Sequence, residues 1–264
     1  MALNMVEDMM GRTVHLPEKV NRIVSLVPSQ TELLYDLGIM PVGQTLFCVH
    51  PKEHFKNAVK IGGTKKLNIE KIKSLKPDLI VGNKEENDKD QIEELSAFFP
   101  VWMSDIYTLE DALVMIRELG SMLQVNEAAM DMVTRIKSGF DALAKQAANH
   151  QTVAYLIWKN PYMAAGRQTF IQSMLDMLGC QNVLNDSASR YPELTESQLK
   201  NLDPKVVLLS SEPFPFKEKH IKELQKLLPS SKIILVNGEY FSWYGSRLLL
   251  APSYFDSLIS RLKR

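Results

Sequence analysis

Cysteine is almost missing from this 264-residue chain: Cys48 and Cys180 stand far apart and form no Cys-x-x-Cys pair. That argues against a disulfide or a cysteine metal site and predicts two separate thiols. Net charge is missing as well, with 31 basic side chains against 31 acidic. Nucleic acid and anionic membranes both demand a basic surface, so neither is expected as a partner. No apolar run reaches the ~18 residues that a membrane helix needs. The N-terminus, Met1 to Arg12, is acidic and methionine-rich and lacks the charged start and apolar stretch of a secretory signal. On that reading the protein is either cytoplasmic or exported by a leader that has been removed. Catalytic signatures are missing too. There is no Gly-x-Ser-x-Gly elbow, no phosphate loop, no His-Glu-x-x-His and no dinucleotide fingerprint. The expectation is a protein that is not an enzyme and has no intrinsic cofactor.

What the chain does have is repetition. Ile72-Lys73-Ser74-Leu75-Lys76-Pro77-Asp78-Leu79-Ile80-Val81 returns as Leu199-Lys200-Asn201-Leu202-Asp203-Pro204-Lys205-Val206-Val207-Leu208. Ile92-Glu93-Glu94-Leu95, followed by Phe99-Pro100, returns as Ile221-Lys222-Glu223-Leu224, followed by Leu228-Pro229. Leu34-Tyr35-Asp36-Leu37-Gly38 echoes Leu175-Asp176-Met177-Leu178-Gly179. The matches keep their order, so two similar lobes are predicted, with the cleft between them as the working surface.

Short apolar strands alternate with single helices, which predicts an α/β fold of parallel sheets flanked by helices. Strands are expected at Arg22 to Val27, from Pro41, at Leu79 to Val81 and from Val101. Helices are expected from Ser29 or Thr31 (as cap) to Gly38, at Asn68 to Lys76 and at Gln91 to Phe99. The second lobe repeats this with strands at Thr152 to Ile157, Val206 to Leu209 and Ile233 to Val236. Its helices are expected at Phe170 to Leu178, Glu196 to Leu202 and Lys219 to Leu228. Asn126 to Asn149 contains no proline and one glycine, and Met130, Val133, Ile136, Phe140, Leu143 and Ala147 recur along one helical stripe. A continuous connector there would be about 36 Å long. The resulting division is an N-terminal extension at 1–21, a first lobe at 22–124, a connecting helix at 125–150 and a second lobe at 151–264.

Phe47, Trp158, Tyr162, Tyr191, Tyr240, Phe241, Trp243 and Tyr244 fall at or just after strand ends, the ligand-facing rim of a parallel sheet. Glu239 and Arg247 flank the richest stretch, Tyr240 to Tyr244, and the combination suits a large, flat, partly polar ligand. Packing over the second lobe is the alternative for that stretch, and Pro213-Phe214-Pro215-Phe216 carries the same ambiguity. Lys65, Asn83, Lys84 and Glu85 follow strands of the first lobe and could present polar groups to the cleft. Gly62-Gly63-Thr64-Lys65-Lys66 reads as a turn. His50 and His54 lie four apart, but Pro51 favours a helix start and leaves His50 outside the helix; a solvent-exposed or capping role is expected for both, with His50 the better candidate for a metal or for chemistry.

Arg22-Ile23-Val24-Ser25-Leu26-x-Pro28-Ser29-x-Thr31-Glu32, Leu37-Gly38, Pro41-Val42-Gly43, Asn68-Ile69-Glu70 and Leu75-Lys76-Pro77-Asp78-Leu79-Ile80 together resemble the helical-backbone metal receptors. These are the class III periplasmic binding proteins that serve iron–siderophore, haem and cobalamin importers. The similarity continues through Gly166 to Gly179, Tyr191-Pro192 and Leu202-Asp203-Pro204 to Arg247. It is closest to the cobalamin-binding type. The resemblance implies two lobes on one long helix and a metal chelate, cobalamin or a ferric siderophore, held between them. It also implies a periplasmic or cell-surface monomer that delivers to an ABC-transporter permease. By matching position it makes Phe47, Thr64, Asn83, Tyr162, Tyr191, Glu239 and Arg247 the cleft lining. Thr64 and Asn83 stand where the cobalamin pattern has tryptophans, and Tyr191 replaces a third, so siderophore and haem stay open. Docking in this family uses one glutamate per lobe. Glu70 matches the first, while Ser197 occupies the second position with Glu196 beside it. The competing reading is an intracellular tetrapyrrole or metal handling protein, with a chelatase-like enzyme among its forms.

Overall fold

The computed structural model describes residues 4–145 and 151–263. The chain divides into two compact units. One comprises Met1–Ile106, Glu110–Arg135 and Tyr244–Arg247; the other comprises Tyr107–Leu109, Ile136–Trp243 and Leu248–Arg264.

The first unit opens on a hairpin, β1 (Asn4–Glu7) and β2 (Thr13–Leu16), so residues 4–16 are built into this unit. Then come β3 (Ile23–Ser25), α1 (Pro28–Asp36), β4 (Gly43–Gln44), α2 (Lys52–Phe55), β5 (Gly62–Gly63) and β6 (Lys66–Leu67). They are followed by α3 (Ile69–Leu75), β7 (Leu79–Asn83), α4 (Lys89–Ser96), β8 (Val101–Ser104) and α5 (Leu109–Met122). The sheet is parallel in the order β4-β3-β7-β8. Every residue of β3, β7 and β8 is buried, as parallel strands covered on both faces require.

The start of α1 differs from the expected cap. Pro28 takes the first helical position after Val27, because its fixed φ suits a helix start and its missing N–H is not needed there. Ser29 and Thr31 therefore lie inside the helix, and the Thr31 hydroxyl donates back to the Val27 carbonyl at 2.9 Å.

A helix, α6 (Asn126–Ala144), follows, about 28 Å long at 1.5 Å per residue. The expected continuation to Asn149, with Ala147, lies outside the described residues. Its buried stripe is Ala129, Met132, Val133, Ile136, Phe140 and Leu143. Met130, expected in that stripe, is 48% exposed. Each residue turns the helix by about 100°, so Ala129 claims the face that Met130 cannot reach.

The second unit contains β9 (Thr152–Trp158), β10 (Tyr162–Ala164), α7 (Phe170–Met177), β11 (Gln181–Asn182), β12 (Glu193–Leu194) and α8 (Glu196–Leu202). It continues through β13 (Val206–Ser210), α9 (Glu218–Leu227), β14 (Lys232–Val236), α10 (Glu239–Ser242), a 3-10 turn at Ser246–Leu249, and α11 (Ala251–Lys263). Its parallel strands run β11-β9-β13-β14, with β10 and β12 added antiparallel beyond β9. Counted from the first parallel strand, both units have the order 2-1-3-4, and the duplication written in the sequence is a duplication of topology.

The repeated proline segments explain themselves locally. Helices α3 and α8 each span seven residues, begin at a side-chain cap (Asn68 and Thr195) and end on a left-handed residue, Lys76 at φ 45° or Asp203 at φ 40°. The residue before proline is pushed out of the right-handed helical region. Here both copies turn the chain sharply into the next strand, β7 or β13, rather than extending it.

Candidate functional site

In an order of 2-1-3-4 the connections leave the first strand in opposite directions, and a crevice opens at the carboxyl ends of the first and third strands. In the first unit those are β3 and β7, with the loop after β4 alongside. That loop is pinned by Cys48, which is fully buried. The Thr31 hydroxyl reaches its sulfur at 3.0 Å, Thr45 lies at 3.1 Å, and the Gln44 amide donates to its carbonyl at 2.7 Å. Burial pushes the thiol above its ordinary range against the pull of both threonine contacts. With Cys48 inward, its neighbours face outward: Leu46 is 51%, Phe47 58% and Val49 39% exposed. The Phe47 ring lies on Gly63, where a Cβ would come within 3.1 Å of it. The ring meets that glycine along one edge, nearest its Cε2 carbon.

The other first-unit candidates are occupied within the unit. Thr64 sits in the β5–β6 turn and its carbonyl accepts from Asn87 at 3.1 Å. The Lys65 ammonium donates to the carbonyls of Glu85 (2.6 Å) and Asn87 (3.3 Å), tying this turn to the one after β7. Asn83 is 2% exposed. Its amide donates to Ser104 while its oxygen accepts from the amides of Glu85 and Glu86, so it shapes the turn. Tyr244 is 5% exposed and its hydroxyl donates to Glu86 at 3.0 Å. Arg247 forks onto Glu32, with Nε and one terminal nitrogen at 3.0 and 2.6 Å from its two oxygens. Burial pushes the Glu32 carboxyl upward, and the Arg247 charge pulls it back without cancelling the rise. His54, one of the two spaced histidines, stacks on Tyr35 at 4.4 Å, and His50 precedes α2 as expected. Among the described residues no group of three potential metal ligands forms.

In the second unit the corresponding strand ends are those of β9 and β13. Trp158 ends β9, is 41% exposed, and meets Phe214 edge-on at 5.6 Å. Phe214 in turn meets Phe216 at 4.8 Å. Tyr162 is half-buried against the same apolar cluster, and burial raises its phenol. Arg190 lies over the rings of Tyr107 (4.8 Å) and Tyr191 (5.8 Å), within the range where a guanidinium is drawn to an aromatic face. Glu239 opens α10, its amide donating to Asn237.

The aromatic run Tyr240 to Tyr244 supplies core in place of an open rim. Phe241 is fully buried between Tyr155 and Phe255, each at 4.9 Å. Tyr240 stacks on Tyr254 at 4.4 Å. Trp243 is 8% exposed, and its indole donates to Glu212 at 2.9 Å. Replacing Trp243 by alanine is therefore expected to cost about 3 kcal/mol in denaturant unfolding. An unfolding curve that superimposes on the parent's would contradict that placement.

Glu70 and Glu196 both sit in the first turns of their helices, and both are exposed. Glu70 is the second residue of α3; Ser197 is the second of α8 and Glu196 the first. Sequence reasoning passed over Leu46 and Val49 and left Phe214 unassigned. Alternation about an inward Cys48 would have exposed Val49, whereas it would have turned Leu46 inward.

The periplasmic binding protein family matches over residues 23–230. The chain belongs to that family. It is 27% identical over 256 residues to a vitamin B12-binding protein of Pectobacterium atrosepticum, covering 92% of this chain and 89% of the relative. The periplasmic vitamin B12-binding protein of Vibrio cholerae superposes with a TM-score of 0.82 at 21% identity, covering 94% of this chain and all of the other. A periplasmic heme-binding protein from Roseiflexus superposes with a TM-score of 0.78 at 21% identity, covering 92% and 98%. At such identities the superpositions speak for the fold. Among the described residues no helix is long and apolar enough to cross a membrane.

Proposed function

We propose that this chain is the substrate-binding component of an importer and carries a metal chelate, with a corrinoid or another tetrapyrrole favoured over a ferric siderophore. The observation behind this reading is a pair of exposed rings, Phe47 just after a strand and Trp158 at the end of one, each in its own unit and each braced by a neighbour. A flat macrocycle gains most from such rings, because stacking uses a whole aromatic face and bracing removes the entropy of ordering it. The names of the relatives, which bind vitamin B12 or heme, point the same way. Delivery would follow at the outer side of a membrane, to a permease. The Glu70 carboxylate, 85% exposed, offers that permease an anionic contact on the first unit. On the second unit the corresponding position is Ser197, so Glu196 would have to serve from one residue away.

Purified protein should be mixed with cobalamin, haemin and a ferric hydroxamate in turn, followed by visible absorbance and calorimetry. Phe47→Ala and Trp158→Ala are each expected to weaken the winning ligand about tenfold, with the thermal midpoint nearly unchanged. Undiminished affinity in both variants, or no binding of any of the three, would overturn the reading.

A further inference from the structure

The loop that braces Trp158 is held by a histidine that the binding function does not use. His220, the third residue of α9, is 5% exposed and lies 5.4 Å from the Phe214 ring and 5.5 Å from Phe216. Its Nδ1 accepts the backbone N–H of Lys217 at 2.9 Å, which satisfies a donor at the helix entrance. An imidazole nitrogen that accepts a hydrogen bond carries no proton, so this geometry requires the neutral ring. The Phe214 amide donates to Ile157 at 3.3 Å, placing the loop beside the end of β9, where Trp158 stands.

We infer that His220 is a positioning residue for the Trp158 platform and a proton-sensitive one: its neutral ring fastens the Phe214–Lys217 turn, and protonation unfastens it. The charged groups around the ring are Lys159 from the β9–β10 turn and Lys217, Lys219 and Glu223 from α9 and its cap. Lys159 is paired with Glu223. Burial and the lysines hold the imidazole below its ordinary range, with Glu223 opposing them. A depressed histidine contributes stability that is complete above its unfolded value and is lost as pH falls through its folded value. The platform is therefore firm at neutral pH and loosens in mild acid.

The test needs no ligand. In ¹⁵N-labelled protein the three indole N–H signals are followed from about pH 8 to pH 5, with Trp158→Phe identifying its own signal. The Trp158 signal should shift together with the His220 ring resonances. His220→Asn keeps an acceptor but cannot gain a proton, so its Trp158 signal should stay at the neutral position throughout. His220→Phe removes the acceptor and should displace the signal at every pH. A Trp158 signal that titrates unchanged in His220→Asn, or that ignores the His220 titration, would overturn the inference. A second arm rests on the ligand reading above: the bound chelate should dissociate about tenfold more readily at pH 5 than at pH 7.5 in the parent only. If the indole signal titrates while affinity does not, the fault lies with the ligand reading and the platform stands.

Discussion

Asp8→Ala is expected to destabilise the first unit by about 3 kcal/mol, because it strands the backbone donors that the carboxylate satisfies, while the Arg12 side chain, 36% exposed, keeps water. The Asp8 carboxylate is completely shielded from solvent. It accepts from the amides of Met10 (3.0 Å), Arg12 (2.9 Å) and Met103 (3.3 Å), and from the Arg12 guanidinium at 2.8 and 2.6 Å. Five donors on one carboxylate offset its desolvation, which a lone contact could not do. The location matters as much as the count. β8 is the last strand of its sheet, and its outer edge would otherwise be bare. The Met9 amide takes the Met103 carbonyl, Asp8 takes the Met103 amide, and Arg12 reaches the Val101 carbonyl at 3.3 Å. Losing Asp8 thus unfastens the hairpin and reopens an edge able to pair with other chains. Hydrogen exchange at the Met103 amide and denaturant unfolding measure the effect. Asp8→Asn should retain part of the stability, since it keeps the shape and one acceptor. Unchanged exchange at Met103 in Asp8→Ala would show that the hub is dispensable.

Arg247→Ala is the second large effect, about 3 kcal/mol at neutral pH. The guanidinium and the Glu32 carboxylate are 10% and 14% exposed, so truncation leaves an anion with little water and without its ion-pair partner. Burial already raises Glu32, and without Arg247 it rises further. A carboxyl group raised in the folded state is accommodated below its unfolded value and destabilises as pH climbs through its folded value. The deficit of Arg247→Ala should accordingly be small near pH 4 and grow toward pH 8. Adding Glu32→Gln should recover part of it. A deficit independent of pH, or no recovery in the double variant, would mean that the fork is not what holds this segment.

The architecture was legible because its signals are local. Pro77 and Pro204 end helices within a few residues of themselves, and Gly38 and Gly179 do so with positive φ. The same locality fixed α8 to the residue and misplaced Met130 by a single step of helical phase. The site was less legible because its decisive contacts are remote. Glu32 and Arg247 are 215 residues apart in the chain, and Glu86 and Tyr244 are 158 apart. No window of sequence announces that an exposed-looking arginine already has a partner. Asn83 shows the same limit in miniature: a polar residue after a strand suits a ligand and suits a turn, and only the positions of Glu85, Glu86 and Ser104 choose the turn. Phe47 and Trp158 remain on the surface because each rests on something small or edge-on, a circumstance set by Gly63 and Phe214 from other loops.

Cys48 and Cys180 fall one to each unit, and both are buried. Burial lifts both thiols, Cys180 to about 12, so neither sulfur reacts while its surroundings stay closed. Each half of the molecule thereby contains its own alarm: a thiol-directed dye can attach only during a local breath, and the site of labelling reports which half drew it.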